Sequence, residues 1–478
     1  MRPVVTVAEM READAAAPVP EETLVRRAGT AVAHAALRML GGAYGRRVVV
    51  VAGKGNNGAD GRVAGELLAR RGARVTVVGP GDAVPSCDLV VDAALGTGLR
   101  GRYDAPAAPP GAKVVAVDIP SGVHGDTGEA PGRPMRATRT VTFAALKPGL
   151  LQGEGPRLGG ALEVADIGLG ELHPRIMLAE DADVVRCVPA RPPDSHKWVT
   201  AVVVVAGSPG MEGAAVLAAE GAARAGAGMV RLGVPGVTGT SGSSAPGVHW
   251  PLEAVRFPLA PTGASAEGAE GGEPGAGADA EGGWADDVLA VAQRCRAIVL
   301  GPGLGRDAAT QSQVRRVVLR ATVPVVVDAD GLYALGGADQ ARAVVAGDRS
   351  VILTPHDGEY ARLLGEVPGP DRVAAARRLA SVLGVTALVK GSLTAVASPG
   401  GEVVLSAAGS PRLATAGTGD VLSGVIGALL ARGMPAMSAA ALGAHVHGRA
   451  AALGPAEGLV SADLPSLVSR VLSSVRGG

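Results

Sequence analysis

The sequence predicts an α/β protein of two domains, each a mainly parallel sheet flanked by helices. Its 478 residues are more than one hydrophobic core ordinarily serves. Short runs of Val, Ile and Ala alternate with longer helical patterns, which is typical of βαβ units. Several of these runs end in glycine or a polar residue, as strands do where an open parallel sheet binds a ligand. We therefore expect two ligand-binding sheets in one chain.

Composition and charge exclude several classes of function. Lys plus Arg and Asp plus Glu number 45 each, and aromatic residues make up 2% of the chain, so no nucleic acid partner is expected. No apolar run approaches the roughly 20 residues that span a bilayer, and the amino terminus lacks a basic segment followed by an apolar core. The cysteines, Cys87, Cys187 and Cys295, lie far apart without metal-binding spacing. The sequence predicts a cytoplasmic protein with no membrane segment.

The first half of the chain predicts a βαβ unit followed by further strands. Helical periodicity covers residues 10–39, with breaks at proline. A buried strand over 48–52 leads through G-K-G-N-N-G-A-D-G into a helix predicted over 62–71, and a strand follows at 75–78. The next two strands end at Asp92 and Asp118, where ligands bind in open parallel sheets.

Polar side chains at these strand ends form the first candidate site. They are Asn56, Asn57, Asp60, Asp92, Asp118 and Ser121. The neighbouring glycines let a backbone approach a diphosphate, and oxygens of Asn, Asp and Ser can hold a hard cation. A structural alternative is that Asp92 and Asp118 cap local turns, as Asp often does. The same chemistry at three strand ends favours a binding site.

This half resembles the NAD(P)HX epimerase family, whose blocks read G-x-G-N-N-G-G-D-G, D-x-x-x-G-T-G and D-I-P-S-G. The likeness covers residues 7–168 and includes T-V-T-F-A-A-L-K-P-G-L. It implies that the substrate, a hydrated nicotinamide dinucleotide, is bound by Asn56, Asn57, Gly58, Ala59, Asp60, Gly96, Thr97, Gly98, Leu99, Arg100, Gly101, Arg102 and Asp118. It also implies potassium ligands at Asn57, Asp92 and Ser121, and proton transfer by Asp118.

One residue departs from the first family block. Ala59 replaces the family's second glycine. If the backbone there needs a positive φ, Ala is strained and loosens the loop, whereas it is harmless if the helix has already begun.

A connector between domains is predicted at residues 181–194, with the boundary near Pro189, because this stretch is rich in Arg and Pro and lacks periodicity. The predicted domains are then residues 1–180 and 195–478. A low-complexity insertion of Gly, Ala and Glu interrupts the second domain at about 258–283. A lid over a pocket is the alternative interpretation of this insertion.

Strand patterns return in the second half. A buried strand at 201–205 precedes an Ala-rich helix, and later strands at 297–305, 324–332, 351–364 and 387–394 end in glycine or polar residues. A Gly-Thr-Gly-Asp loop then precedes a helix predicted over 421–430. The unpaired N–H groups of such a helix start form an anion site. Asp420 beside it suits a base that deprotonates a hydroxyl while the loop steadies a phosphoryl group; helix capping is the alternative.

Other polar residues of the second half are open to two interpretations. Lys390 to Thr394 suit a nucleotide phosphate or ribose, although Lys390 could also be a solvated strand end. His356 could contact a ligand or cap a turn. Asp328 and Asp330 could hold Mg²⁺ through water or phosphate, because Mg²⁺ takes few direct carboxylates.

This half resembles the ribokinase-like superfamily and, within it, ADP- or ATP-dependent NAD(P)HX dehydratase. The blocks G-P-G-L-G, D-A-D-x-L, L-T-P-H-x-G-E and T-A-G-T-G-D-V-L-S-G carry the likeness over residues 196–452. It implies that Asp420 is the base and contacts the substrate, with further substrate contacts from Ala214, Gly303 and His356. It implies nucleotide binding by Lys390, Gly391, Ser392, Leu393, Thr394 and Gly419. Asp357, Gly331 and Tyr333 depart from the residues common in the family.

Together the resemblances imply a bifunctional repair enzyme. One domain would epimerise the R and S forms of hydrated NADH and NADPH, and the other would phosphorylate the 6-hydroxyl of the S form and eliminate phosphate. They also imply K⁺ in the first domain, Mg²⁺ with ADP or ATP in the second, and a homo-oligomer. The alternative is a kinase for a small vitamin-type alcohol with a non-catalytic nucleotide-binding first domain. The T-P-H-x-G-E and N-N-G-A-D-G blocks count against that alternative.

Overall fold

The computed structural model describes residues 1–99, 101–237, 249–260 and 283–475. The chain forms two compact units, Arg2–Met177 and a second that begins at Leu178 and also includes Met1. Arg100 and residues 261–282 of the predicted insertion lie outside the described residues. Among the described helices, none has the length and apolar character needed to cross a membrane.

The first unit is built on a parallel sheet in the order β3-β2-β4-β5-β6-β7. The strands of this unit are β1 (Arg2–Val4), β2 (Arg47–Ala52), β3 (Arg74–Val78), β4 (Leu89–Ala93), β5 (Lys113–Val117), β6 (Arg139–Phe143), β7 (Ala161–Ala165) and β8 (Ile176–Leu178), the last reaching the unit boundary. Its helices are α1 (Val7–Ala15), α2 (Glu21–Leu40), α3 (Asn56–Arg70), α4 (Pro148–Leu151) and α5 (Gly155–Leu158).

Small residues on α3 bring this helix close to the sheet and to α2. A Cβ atom added at Gly61 would lie 2.5 Å from the Cβ of Ala93, and one added at Gly29 of α2 would lie 2.6 Å from Val63. Because neither glycine has a side chain, α3 can pack close to the sheet and to α2. Its first turn then lies at the ends of β2 and β4. The valines of β2 and β4 form the core below it.

The second unit contains a sheet whose strands run in the order β17-β16-β15-β14-β13-β12-β9-β10-β11. These strands are β9 (Ala201–Val205), β10 (Met229–Pro235), β11 (Ala254–Leu259), β12 (Ala297–Leu300), β13 (Val325–Val327), β14 (Val351–Leu353), β15 (Thr386–Val389), β16 (Thr394–Ala397) and β17 (Val403–Ser406). All neighbours are parallel except that β16 is antiparallel to β15 and β17.

Helices cover this second sheet. They are α6 (Asp181–Cys187), α7 (Glu212–Arg224), α8 (Trp284–Ala292), α9 (Ala308–Arg320), α10 (Asp330–Leu335), α11 (Ala338–Val345), α12 (Asp357–Leu364), α13 (Arg372–Leu383), α14 (Thr418–Ala431), α15 (Ala436–Leu453) and α16 (Leu464–Ser474). The mainly parallel sheets and their helices confirm the predicted fold class.

Helix α14 is the buried centre of the second unit. A Cβ atom at Gly424 would lie 2.0 Å from the carbonyl oxygen of Ala218, and one at Gly221 would lie 2.5 Å from that of Val421. The α7 and α14 backbones therefore cross in direct contact, which explains the small residues of both helices. Gly427 likewise brings α14 against Val299 of β12, 2.2 Å from an added Cβ. This packing fixes the position of the Gly-Thr-Gly-Asp loop.

Some predicted boundaries are wrong. Helix α3 begins at Asn56 instead of residue 62, and α14 begins at Thr418 instead of residue 421. Both helices start inside a glycine loop, where the apolar pattern that marks a helix has not yet begun. The Gly-Thr-Gly-Asp loop follows the antiparallel strand β17 and a short 3-10 helix, Pro411–Leu413, so it is not itself the end of a parallel strand.

The segment predicted as a linker also differs. Residues 181–187 form α6 within the second unit, where Asp181 accepts a hydrogen bond from His445 at 2.8 Å and pairs with Arg449 at 2.9 Å. Val184 is buried beside these polar contacts, but a helix of seven residues is too short to show a clear apolar periodicity. The predicted insertion also begins too early, since Pro258 lies in β11.

The departure at Ala59 generates a stability prediction. Ala59 is helical in α3, and its N–H donates to the carbonyl of Gly55 at 3.1 Å. Because glycine disfavours a helix relative to Ala, Ala59→Gly should cost about 0.5–1 kcal/mol. Hydrogen exchange of α3 amides should then accelerate roughly 2- to 5-fold.

The matched comparison is Gly58→Ala. An added Cβ there would lie 2.1 Å from the carbonyl oxygen of Gly53, so this change should disturb the loop far more than Ala59→Gly does. Slower exchange in Ala59→Gly would show that the position needs glycine after all.

Candidate active sites

A cavity of about 1010 Å³ lies at the carboxyl ends of β2, β4 and β5 in the first unit. The structure brings many of the predicted substrate residues to its wall, namely Asn56, Asn57, Gly58, Asp60, Gly96, Thr97, Gly98 and Asp118. Other predicted residues do not line it, namely Ala59, Leu99, Gly101 and Arg102. Arg102 is exposed and pairs with Asp104 at 3.0 Å. Asp14 and Lys147 also line the cavity, and neither was predicted from the sequence.

Asp118 and Lys147 form a buried ion pair in this cavity. The Lys147 Nζ lies 2.5 Å from Asp118 Oδ1, and it also donates to Thr142 Oγ1 and the Phe143 carbonyl at 3.0 Å each. The ammonium thereby uses its three donors on three fixed acceptors. The backbone of Asp118 has a φ of +65°, which is uncommon for residues other than glycine. A strained carboxylate held by a fully buried lysine is typical of a functional site.

A neutral carboxyl group lies in the same cavity. Asp60 is 5% exposed, and burial, followed by the negative charges of Asp118 and Asp14, raises its pKa to about 8. Burial also raises the pKa of Asp14, although the Lys147 charge opposes that effect. At neutral pH the cavity therefore contains both a carboxylate paired with lysine and a protonated carboxylic acid.

Two of the predicted potassium ligands, Asp92 and Ser121, are hydrogen-bonded to each other, and the third, Asn57, lines the cavity. Asp92 is fully buried, its Oδ2 accepts from the Ser121 N–H at 2.9 Å, and its Oδ1 has no partner among the described residues. Burial raises the pKa of Asp92. The Asn57 amide donates to the carbonyl of Val117 at 2.7 Å, and its Oδ1 lies 2.5 Å from a Cβ added at Gly96. An orphaned buried carboxylate oxygen beside amide and hydroxyl oxygens fits a hard cation.

In the second unit, the start of α14 meets a partly buried lysine. Gly417 adopts a φ of +88° directly before the helix, as a left-handed turn requires. Lys390 Nζ lies 2.5 Å from Asp328 Oδ1, and Ser423 donates to Asp328 Oδ2 at 2.5 Å. A Cβ added at Gly419 would lie 3.3 Å from the Lys390 Nζ. The helix N–H groups and the ammonium therefore share one side of this site, where an anion is favoured.

Charge and burial perturb the groups around this anion site. Burial, then the charge of Asp328, raises the pKa of Asp420 to about 7, although Lys390 lowers it. Burial alone would lower the pKa of Lys390, but the carboxylates of Asp328 and Glu359 outweigh that effect and raise it. Asp420 is therefore poised to gain or lose a proton near neutral pH, while Lys390 stays charged.

Asp328 and Asp330 flank a strained residue. Ala329 between them has a φ of +50°, a strained backbone conformation for a residue other than glycine. Asp330 is held by Arg306 at 2.8 Å and by the Gly305 N–H at 3.0 Å. Both carboxylates thus already have protein partners, which suits contact with Mg²⁺ through water or phosphate better than direct ligation.

Three further predicted substrate contacts of this unit, Ala214, Gly303 and His356, lie in two places. Gly303, with a φ of +63°, lies beside Ala214, whose Cβ is 2.8 Å from a Cβ added at Gly303. His356 caps α12 through Nδ1, which accepts from the N–H groups of Gly358 at 3.0 Å and Glu359 at 3.3 Å. Its side chain is nevertheless 61% exposed and lines a cavity of about 270 Å³. Capping and ligand contact are therefore compatible at His356.

Two departures from the family pattern have partners in the structure. Asp357 pairs with Arg372 at 2.7 Å, and Arg372 also donates to the carbonyl of Lys390. This arrangement ties the start of α12 to the predicted nucleotide segment. Tyr333 lies between Arg306 and Arg362, whose guanidinium carbons are 4.7 Å and 3.4 Å from the ring centre. No spacing in the sequence indicated either arrangement, because the partners come from different elements.

These features define a two-domain α/β protein with a lysine–aspartate pair and a glycine loop at the binding edge of each sheet. A family model described as NAD(P)H-hydrate dehydratase matches residues 202–473, and one described as YjeF-related protein N-terminus matches residues 21–85 and 79–149. The chain belongs to the family of bifunctional NAD(P)H-hydrate repair enzymes.

Similar proteins span the whole chain. A bifunctional NAD(P)H-hydrate repair enzyme Nnr from Mycobacterium leprae is 37% identical over 511 residues, covering 100% of this chain and 99% of the relative. Its counterpart from Salinibacter ruber is 36% identical over 547 residues, covering 98% and 96%. The crystal structure of the ADP/ATP-dependent NAD(P)H-hydrate dehydratase from Bacillus subtilis with ATP/Mg²⁺ is 26% identical, covers 63% of this chain and 98% of that one, and superimposes with a TM-score of 0.47.

The buried pair of the first unit gives a stability prediction. Lys147→Met leaves the Asp118 carboxylate buried without its cation, so we expect the first unit to lose about 3–5 kcal/mol of unfolding free energy. Adding Asp118→Asn removes the uncompensated charge and should recover part of that loss. Hydrogen exchange of β5 and β6 amides reports both effects. Equal exchange in Lys147→Met and wild type would contradict the importance of this ion pair.

Proposed function

We propose that the chain repairs hydrated NADH and NADPH by epimerising the R and S hydrates and by dehydrating the S form at the expense of a nucleotide. The observation that carries the proposal is the cluster at the start of α14. There a carboxyl group whose pKa is about 7, Asp420, lies beside a helix N-terminus and the partly buried ammonium of Lys390. Family membership supplies the substrate class.

Dehydration begins with activation of the 6-hydroxyl. Asp420 takes the hydroxyl proton as the oxygen attacks the terminal phosphoryl group, while the α14 N–H groups and Lys390 stabilise the charge on that group. Phosphate is a much better leaving group than hydroxide. Its departure from C6, with loss of a proton from C5, restores the dihydronicotinamide ring. Ala214, Gly303 and His356 contact the hydrate in this proposal.

The nucleotide binds beside Lys390 in this proposal. Its contacts are Lys390, Gly391, Ser392, Leu393, Thr394 and Gly419. Support comes from Arg372, which holds the Lys390 carbonyl and so fixes the direction of the segment that follows. Asp328 and Asp330 would hold Mg²⁺ through water or phosphate, and the ion would offset negative charge on the phosphates. ADP is the proposed co-substrate, with ATP as the alternative.

Epimerisation takes place in the cavity of the first unit. Asp118 transfers protons there, and the substrate is bound by the predicted residues that line the cavity, namely Asn56, Asn57, Gly58, Asp60, Gly96, Thr97 and Gly98. Potassium held by Asn57, Asp92 and Ser121 would supply positive charge beside the cavity, and the orphaned Asp92 Oδ1 supports that assignment. The epimerase is assigned to the first unit and the dehydratase to the second, in a cytoplasmic homo-oligomer.

The first test is recovery of 340 nm absorbance from a mixture of both hydrate epimers with Mg²⁺ and ADP or ATP. Wild type should recover all of it, and Asp420→Asn should be slower by about 100-fold or more because a general base is lost. Recovery that stops when one epimer is used up would remove the epimerase assignment. No recovery with either nucleotide would favour the kinase of a small alcohol.

The pKa of Asp420 predicts the pH profile of dehydration. A base acts when deprotonated, so kcat/KM for the S hydrate at saturating nucleotide should rise with pH through about 7 and then level off. Steady-state rates across pH measure this directly. A flat profile between about pH 6 and pH 8 would exclude Asp420 as the base.

A further inference from the structure

The epimerase cavity holds a second carboxyl group, Asp60, whose proposed role so far is substrate binding alone. Asp60 lines the same cavity as Asp118 and is 5% exposed. Within the described residues, no hydrogen bond or ion pair to its carboxyl group is found. A buried carboxyl group without a protein partner, facing a cavity of about 1010 Å³, has its hydrogen-bonding capacity free for a ligand.

The two carboxyl groups differ in their surroundings. Asp118 accepts from Lys147, Thr142 and the Phe143 N–H, and all three contacts use Oδ1. Its Oδ2 therefore stays available, and its charge is balanced by the Lys147 ammonium. Asp60 has no such cation, and burial raises its pKa to about 8. At neutral pH, Asp60 therefore holds a proton that it can give, and the unpartnered Oδ2 of Asp118 offers an acceptor. Paired carboxyl groups divide acid and base roles in this way.

Other charged groups share this cavity and complete its electrostatics. They are Asp14 from α1, Glu21 from α2, Lys54 from the loop before α3 and Lys147 from the turn before α4. Glu21 accepts a hydrogen bond from the Asn56 amide at 2.7 Å, and the three Lys147 donors are already used. Asp92 of β4 is buried but does not line the cavity. None of these groups pairs with Asp60 in the described structure.

We propose that Asp60 is the general acid of epimerisation, which protonates the departing 6-hydroxyl, and that Asp118 Oδ2 accepts the proton of the water that adds to the opposite face. This assignment rests on the proposed epimerase function of the first unit. Both groups face one cavity, as attack and departure at a single carbon require.

The step balances without any co-reactant. The C6 carbon bears both the hydroxyl and the ring nitrogen, so the C6–O electron pair leaves with the protonated oxygen as water. The nitrogen lone pair forms a C6–N double bond, and the resulting cation is stabilised by both carboxylates. Water then adds to the other face, the electron pair returns to nitrogen, and the extra proton passes to Asp118. The reverse inversion starts from protonated Asp118 and returns the proton to Asp60.

Oxygen exchange tests this route without any substitution. The full-length wild-type protein is incubated with one purified hydrate epimer in ¹⁸O-labelled water, with K⁺ and without nucleotide. We expect the inverted epimer to carry ¹⁸O at its 6-hydroxyl when it is separated by chromatography and analysed by mass spectrometry. An inverted product that keeps its original oxygen would overturn the proposal, because it would mean that the ring C–N bond opens instead.

Paired variants assign the acid. Asp60→Asn should slow epimerisation by about 100-fold or more while dehydration of the S hydrate stays at the wild-type rate. Glu66→Gln, an exposed carboxylate on the same helix α3 and outside the cavity lining, should match wild type in both reactions. Epimerisation by Asp60→Asn within about threefold of wild type would overturn the acid role. Wild type that dehydrates S but never interconverts the epimers would instead remove the epimerase function itself.

Discussion

In each unit a lysine pairs with a buried aspartate that directly follows a parallel strand. Lys147 meets Asp118 after β5, and Lys390 meets Asp328 after β13, both at 2.5 Å. Burying either charge alone would cost several kcal/mol, so each pair is stable only as a unit with its added hydrogen bonds. The neighbouring acids, Asp60 and Asp420, have no lysine of their own at this distance among the described contacts. Burial, followed by the charge of the neighbouring lysine-paired aspartate, raises the pKa of both.

Close packing of small residues supports these charges. Glycines in α3 and α14 bring the start of each helix over the strand ends, and an added Cβ at Gly61 or Gly424 would overlap its neighbour. The glycine loops are therefore part of the packing as well as of the binding edge. Since both helices begin within the loops, their first N–H groups point at the sites. Strain at Asp118 and Ala329 indicates that the chain is bent to orient the carboxylates.

Of the cavity wall, the sequence predicted the polar strand-end residues but not the residues of α1 and α2, such as Asp14 and Glu21. It predicted the fold class and those polar residues because parallel strands with polar ends repeat and each leaves a local signal. It did not predict the partners of those polar residues. Lys147 lies in an apolar stretch and pairs with a residue 29 positions away, and Arg372 reaches Asp357 and Lys390 from another helix. A linker was predicted at residues 181–187 because they show no apolar periodicity. The contacts of Asp181 with His445 and Arg449, which help to hold this helix, leave no such pattern in the sequence. Long-range polar contacts of this kind have no spacing rule.

The central claim is that two separate sites act in sequence on one damaged cofactor. Mixing two inactivated proteins tests it most directly, because the S hydrate made by one site can diffuse to the other. With the Asp118→Asn protein, recovery of 340 nm absorbance should stop when the S hydrate is exhausted. The Asp420→Asn protein should recover almost none. The mixture of the two proteins should recover all of the absorbance from an equal mixture of the R and S hydrates. A mixture that still stops at the S fraction would contradict the assignment of epimerisation to the first unit.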